Sequence, residues 1–411
     1  MSTPRRVVWC CYLGMFIQAL VINITPLLFI PLREEFGLTF EQIGRLILVN
    51  FLTQMVVDLI CTALADRVHP RPLIVAANAL SGIGLWIFAL SPFVLKTPYS
   101  GFLFGTVVFS VGCGLLEVLL SPLVNALPTE NKSGAMAMLH AFYPIGKVAV
   151  IIVTGLALFL LGPGAWPWVM LTWSILPVIN TVAFLRVKLP PLADPDRRHT
   201  LRAMLAEPIL YWLLAGMLLA GATEVTIAQW TSAYAETALG FPKVVADLVG
   251  FCLFGVGMIV GRLWFGLNGG KHNLSLVMWG SALLSAFACV VMAVSPSPIV
   301  ALAAIGFSGV FVSMLWPGVI SLSAARYPLA GASLFAILAA AGDGGGALMP
   351  WLVGVIADHS IVFRTGWMDA ILGAELPPQV FGLKAAFLVT AICPLLMLPV
   401  LVAISGKVRN H

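Results

Sequence analysis

The stretch MLHAFYPIGKVAVIIVTGLALFLLG, residues 138–162, decides how the chain must be read. It is apolar enough to lie in lipid, yet it contains His140 and Lys147. Lys147 comes roughly 21 Å along a helix that begins near Ser133, close to the middle of a hydrocarbon core. An ionisable group at that depth costs about 2.5 to above 10 kcal/mol when isolated, so its default surroundings are a cavity or a charged partner.

The whole chain resembles this stretch. Of 411 residues, 60% are hydrophobic and 9% are charged, with a mean hydropathy of +1.03. A soluble domain carries about 25% charged residues, so the class is an integral membrane protein. The net charge of +5 then reflects basic loops and not nucleic-acid binding. The seven cysteines (Cys10, Cys11, Cys61, Cys113, Cys252, Cys289 and Cys393) lie in or beside apolar runs without metal-ligand spacing. They read as reduced apolar side chains. The first apolar run continues to about Leu32, too long for a signal peptide, and reads as a first span.

Twelve runs are long enough to cross a bilayer: 7–31, 43–65, 72–95, 100–127, 133–162, 165–186, 209–238, 244–267, 274–294, 298–325, 331–357 and 380–405. The charged, proline-containing linker 187–208 halves the chain into bundles 1–186 and 209–411. One set of loops carries Arg5, Arg6, Arg67, Arg71, Lys132, Arg186, Lys188, Arg197, Arg198, Arg202, Lys271, Arg326, Lys407 and Arg409. The opposite set carries Arg33, Lys96, Lys243, Arg364 and Lys384. The basic side is expected in the cytoplasm, together with both termini and the linker, in a cell membrane. FLTQMVVDLICTAL (51–64) aligns without gaps on FGVGMIVGRLWFGL (254–267). Gly37 and Gly240 stand at matching turns after the first span of each half. Two like halves around a midplane site are a transporter design.

The loop CTALADRVHPRP (61–72) resembles the conserved loop of the major facilitator superfamily, roughly G-x-L-[AG]-D-R-x-G-R-[RK]. Asp66, Arg67 and Arg71 match; Thr62 or Ala63 replaces the leading glycine, and Pro70 the second. GLLEVLLSPLVNALPTENKSGAMAMLHAFYPIG (114–146), GATEVTIAQWTSAYAETALG (221–240) and the stretch from Ser313 to Asp358 are similar to the fucose–galactose–glucose proton symporter branch and its bacterial relatives. The resemblance implies an all-α membrane fold of twelve helices in two pseudo-symmetric six-helix bundles, a monomer, and alternating access. It also implies proton symport of a small hydrophilic solute such as a sugar. Glu224 with a nearby aromatic belongs to that branch's pattern. The asparagine that often follows the branch's span-four glutamate by four residues is Ser121 here.

The ionisable residues at bilayer depth are the expected site. Glu117, Glu224 and Asp343 are candidates for proton coupling, with sodium as the other ion a carboxylate would take. Glu117 and Lys147 fall at similar depth on consecutive spans, either as a working acid–base pair or as a static lock between helices. His140, Tyr143 and Lys147 share a helix face. Together with Gln18, Asn23, Gln229, Trp230 and Trp316 they are candidate solute contacts, each weighed against ordinary packing. Asp343 is flanked by glycines that serve either a site or close helix packing. Asp58, Asp66, Arg67, Arg71 and Arg262 are expected at an inner gate. No phosphate loop, G-x-S-x-G motif or metal spacing is present, so no enzyme activity, cofactor or metal is expected. Transport of organic anions or amphiphiles, and a receptor that has lost transport, remain the alternatives.

Overall fold

The computed structural model describes residues 3–64, 70–127, 132–189, 204–268, 272–327 and 332–408. Among them are twelve helical spans long and apolar enough to cross a membrane, as the hydropathy pattern predicts. Lipid offers no partner to a bare amide or carbonyl, so spans that bond internally are the viable solution. Spans one to five are Thr3–Leu27, Phe40–Leu64, Pro70–Val94, Pro98–Ala126 and Lys132–Leu161. Span six joins Trp166–Trp173 to Ile175–Arg186. Span seven is Pro208–Thr237, and span eight runs through a π-helical turn, Ala246–Phe251, into Cys252–Asn268. Span nine is Leu274–Val294; span ten breaks between Pro298–Val312 and Leu315–Arg326. Span eleven is Ala332–Asp358, and span twelve joins Pro378–Thr390 to Ile392–Val408.

Gly37 and Gly240 have φ of 64° and 73°, a left-handed conformation that only glycine adopts without strain. The matching turns after spans one and seven therefore share a backbone conformation as well as a residue.

The chain forms two compact units. The first contains residues 1–31 and 49–198; the second contains residues 32–48 and 199–411. Span two is thus divided: its first nine residues, 40–48, belong to the second unit, and the rest to the first.

In the first unit, spans three and four meet at glycines. A Cβ on Gly112 would lie 2.5 Å from Ala77 O, and one on Gly105 2.8 Å from Phe88 N. Small residues allow such backbone approach, which drives helix association where lipid removes the hydrophobic incentive. Buried Asn180 ties three spans together, donating to Asn78 Oδ1 at 2.8 Å and to Cys10 O at 3.1 Å.

In the second unit, spans seven and eleven are packed through Gly221, Gly342 and Gly345. A Cβ on Gly345 would run into Leu218 O, and one on Gly221 into Gly342 O. The glycines around Asp343 therefore serve close packing. Spans eight and ten meet in the same way, with Gly257 against Gly306 O.

Gly345→Ala should destabilise the protein by about 1–3 kcal/mol, because the clashing atom is backbone and cannot turn aside. Gly164, with open space around it, is the control. Thermal unfolding in detergent should show a lower midpoint for Gly345→Ala and none for Gly164→Ala; equal midpoints would refute the packing role.

Candidate functional site

In the first unit, Asn50, Gln54 and Asp58 recur at i, i+4 and i+8 along span two, so they form one polar stripe. Their residual exposures are 6%, 1% and 0%. Gln54 Nε2 donates to Asn50 Oδ1 at 3.0 Å, and Ser110 of span four donates to the same oxygen at 2.7 Å. Gly114 lets the two helices close: a Cβ there would lie 2.9 Å from Val57 Cβ. Glu117 follows Gly114 by three residues and is partly accessible. A carboxylate oxygen of Glu117 lies within 4.8 Å of one of Asp58. Gln18 of span one donates from Nε2 to Glu117 Oε2 at 3.0 Å.

Asp58 was expected at an inner gate. The structure places it, fully buried, beside Glu117, because its stripe faces span four; Asp66 and Arg67, the gate residues it was expected to meet, lie outside the described residues. Asn50, Gln54 and Ser110 were not anticipated. Their four-residue spacing with Asp58 was the available signal.

Lys147 is buried, 6% exposed, three residues after Pro144 in span five. Neighbouring Gly146 packs on Phe16 and Ala19 of span one. Tyr143 is partly exposed. Asn23 donates to Ala19 O of its own helix at 2.8 Å. Arg71 donates to Leu185 O, near the end of span six. Asp66 and Arg67, and the side chain of His140, lie outside the described residues.

In the second unit, Glu224 is held by Arg262, with Nη2 3.3 Å from Oε1. Arg262 also donates from Nε to Ser313 O at 3.4 Å. Span eight thus directs the guanidinium toward span seven; Asp66 and Arg67, which it was expected to meet, lie outside the described residues. Asp343 is buried, 4% exposed, and the Trp316 ring covers adjacent Gly342, leaving no room for a Cβ. Gln229 is 3% exposed. Trp230 is fully buried, donates to Pro350 O at 2.8 Å and meets Phe40 edge-on at 5.8 Å.

Lys243 opens span eight, and Lys384 lies within span twelve, inside the apolar run 380–405. Lys243 contacts Asp247 at 2.5 and 2.6 Å and Ser232 Oγ at 3.1 Å, where the π-helical turn begins. Lys384 donates to Ser295 O at 3.0 Å, just past the end of span nine. A cation is favourable there because the last carbonyls of a helix lack internal donors.

The start of span two is fastened to span eleven. Thr39 and Gln42 form a reciprocal cap, Thr39 N donating to Gln42 Oε1 at 2.9 Å and Gln42 N to Thr39 Oγ1 at 3.1 Å. The two remaining first-turn amides, Phe40 N and Glu41 N, donate to Asp358 Oδ1 and Oδ2 at 3.0 and 2.5 Å. Trp351 Nε1 donates to Glu41 Oε1 at 3.0 Å, and Gly44 packs on the Trp351 backbone. Arg33 lies 3.9 Å over the Phe40 ring. Burial lowers the Arg33 pKa, and the charges of Asp358 and Glu34 oppose that shift.

The family model described as Major Facilitator Superfamily matches residues 11–267. Against curated proteins the chain has no match. Among solved structures it is similar to a bacterial homologue of the human lysosomal transporter Spinster in an inward-facing, occupied conformation: 13% identity, TM-score 0.78, covering 99% of this chain and 98% of that one. It is similar to a D-xylose–proton symporter at 14% identity and TM-score 0.74, covering 96% and 97%. It is also similar to the fucose–proton symporter of E. coli at 16% identity and TM-score 0.64, covering 98% and 99%.

Asp358→Ala should cost about 0.5–2 kcal/mol by stripping two capped amides, and Asp358→Asn should recover part of that loss. Unfolding midpoints of the purified variants measure both; an Asp358→Ala midpoint equal to that of the parent would show that the cap contributes nothing.

Proposed function

The chain belongs to the Major Facilitator Superfamily and is a multi-pass secondary transporter, not an enzyme; on that premise we propose that it carries a small hydrophilic solute together with protons by alternating access. The observation that carries the coupling is the proximity of Asp58 and Glu117, one fully buried and the other partly accessible. Two carboxylates this close repel each other strongly once water is excluded, so the pair has reason to bind a cation. A proton satisfies that need without further ligands, and sodium is the competing ion. Gln18 holds Glu117 by one oxygen, which leaves the other for exchange.

Glu224 is assigned to the same cycle through Arg262: an ion pair that forms and breaks would link solute binding to charge. Asp343 and Lys147, both buried, are assigned to charge balance. His140, Tyr143, Gln229 and Trp316, with Gln18 and Asn23, are the candidate solute contacts. Trp230 acts on the solute through the helix it anchors to Pro350. Asp66, Arg67 and Arg71 are assigned to an inner gate. A sugar is the first solute class to test, since two structural neighbours are named for proton symport of D-xylose and of fucose. The basic-loop bias supports cytoplasmic termini in a cell or inner membrane. The buried Lys147 ammonium favours organic anions as the second solute class.

Proteoliposomes with an imposed inward-acidifying proton gradient should accumulate one member of a panel of monosaccharides, nucleosides and organic acids. Glu117→Gln should abolish gradient-driven accumulation while keeping gradient-free counterflow of that solute. Accumulation that ignores the gradient in the parent, or survives Glu117→Gln, would end the proton-coupling claim.

A further inference from the structure

The first unit has a cavity away from the carboxylate pair, with a volume of about 450 Å³. It is lined by Arg6, Trp9 and Cys10 at the start of span one and by Ala183, Arg186 and Val187 at the end of span six. Both arginines are exposed, and among the described residues neither guanidinium has a partner. Trp9 is half exposed, at 50%, and packs edge-on against Tyr12 at 5.6 Å.

Span six, whose end lines the cavity, also carries an apolar face. Ile175, Val178, Ile179, Val182 and Leu185 are all exposed on span six. They recur at helical spacing, so they make one stripe that ends at Arg186. The stripe from residue 175 to residue 186 is about 16 Å long, comparable to much of an extended acyl chain. Two cations, Arg6 at the start of span one and Arg186 at the end of span six, line one cavity with a half-exposed tryptophan, and an apolar stripe runs along span six up to Arg186. Guanidinium groups bind phosphate oxygens through paired hydrogen bonds, and tryptophan favours the headgroup level of a bilayer.

We propose that this cavity is a binding site for one anionic phospholipid, with its phosphodiester between Arg6 and Arg186 and an acyl chain along the span-six stripe. The charge of the site selects the headgroup: a zwitterionic lipid places a cation beside the two arginines, whereas phosphatidylglycerol does not. The stripe selects a lipid over a free anion, because inorganic phosphate has nothing to lay against it. Basic clusters flanking spans attract anionic lipid in general; two guanidinium groups and Trp9 lining one cavity are what make a single bound molecule the expectation here.

Native mass spectrometry of the delipidated full chain, titrated with phosphatidylglycerol or phosphatidylcholine, tests the assignment. The parent should retain one phosphatidylglycerol and show no comparable phosphatidylcholine adduct. Arg6→Gln/Arg186→Gln should weaken phosphatidylglycerol retention by about thirtyfold. Both side chains are exposed, and among the described residues they have no partner, so the double variant should keep the parent's unfolding midpoint without lipid. Should the double variant fail to fold, Arg6→Gln alone must still weaken retention by severalfold. Equal retention of both lipids, or unchanged phosphatidylglycerol retention in the variants, would overturn the site. Displacement of the lipid by excess inorganic phosphate would also overturn it, since the site would then be one for free anions.

Discussion

Apolar side chains gain little by leaving lipid for another apolar helix, so each unit depends on close backbone approach and on polar side chains. Glycine supplies the approach. Gly105 and Gly112 bring span four onto span three, and Gly221, Gly342 and Gly345 bring span eleven onto span seven. Once backbones touch, a polar group between them is screened from water, and each one must find a partner within the protein. Asn180 on Asn78 and Cys10 O, and Trp230 on Pro350 O, are two such pairings.

The same constraint explains why the two repeats differ in chemistry. Span two carries Gln54 and Asp58 where the aligned span eight carries Gly257 and Gly261. Span eight uses these positions to touch span ten, with Gly261 pressed against Ser313. Span two uses them to face span four with amide and carboxylate groups, and Gly114 on the opposing helix provides the room. A common backbone design thus carries a polar stripe in one half and a glycine contact in the other. The charged group of span eight, Arg262, stands one position beyond that contact and turns to Glu224.

Span two links these arrangements. Its first turn has every early amide satisfied, two by Asp358 and the others within the Thr39–Gln42 cap. Nine of its residues are built into the second unit while Asn50, Gln54 and Asp58 belong to the first. One rigid helix therefore has its cap and its carboxylate in different units.

Much of this was legible in the chain alone. Hydropathy determined the class and the twelve spans, since about 20 consecutive apolar residues have few other uses. The turns at Gly37 and Gly240 were readable because positive φ strongly favours glycine. Charges at bilayer depth marked Glu117, Lys147, Glu224 and Asp343, with Lys147 the expected partner of Glu117. Partners are chosen by rotation and crossing of helices, which apolar sequences encode weakly. Only the tertiary structure could set Asp58 beside Glu117, give Glu224 to Arg262, and join Asp358 to amides more than 300 residues earlier. Composition reports what a helix is immersed in, but the direction each side chain faces is settled by which backbones are small enough to meet.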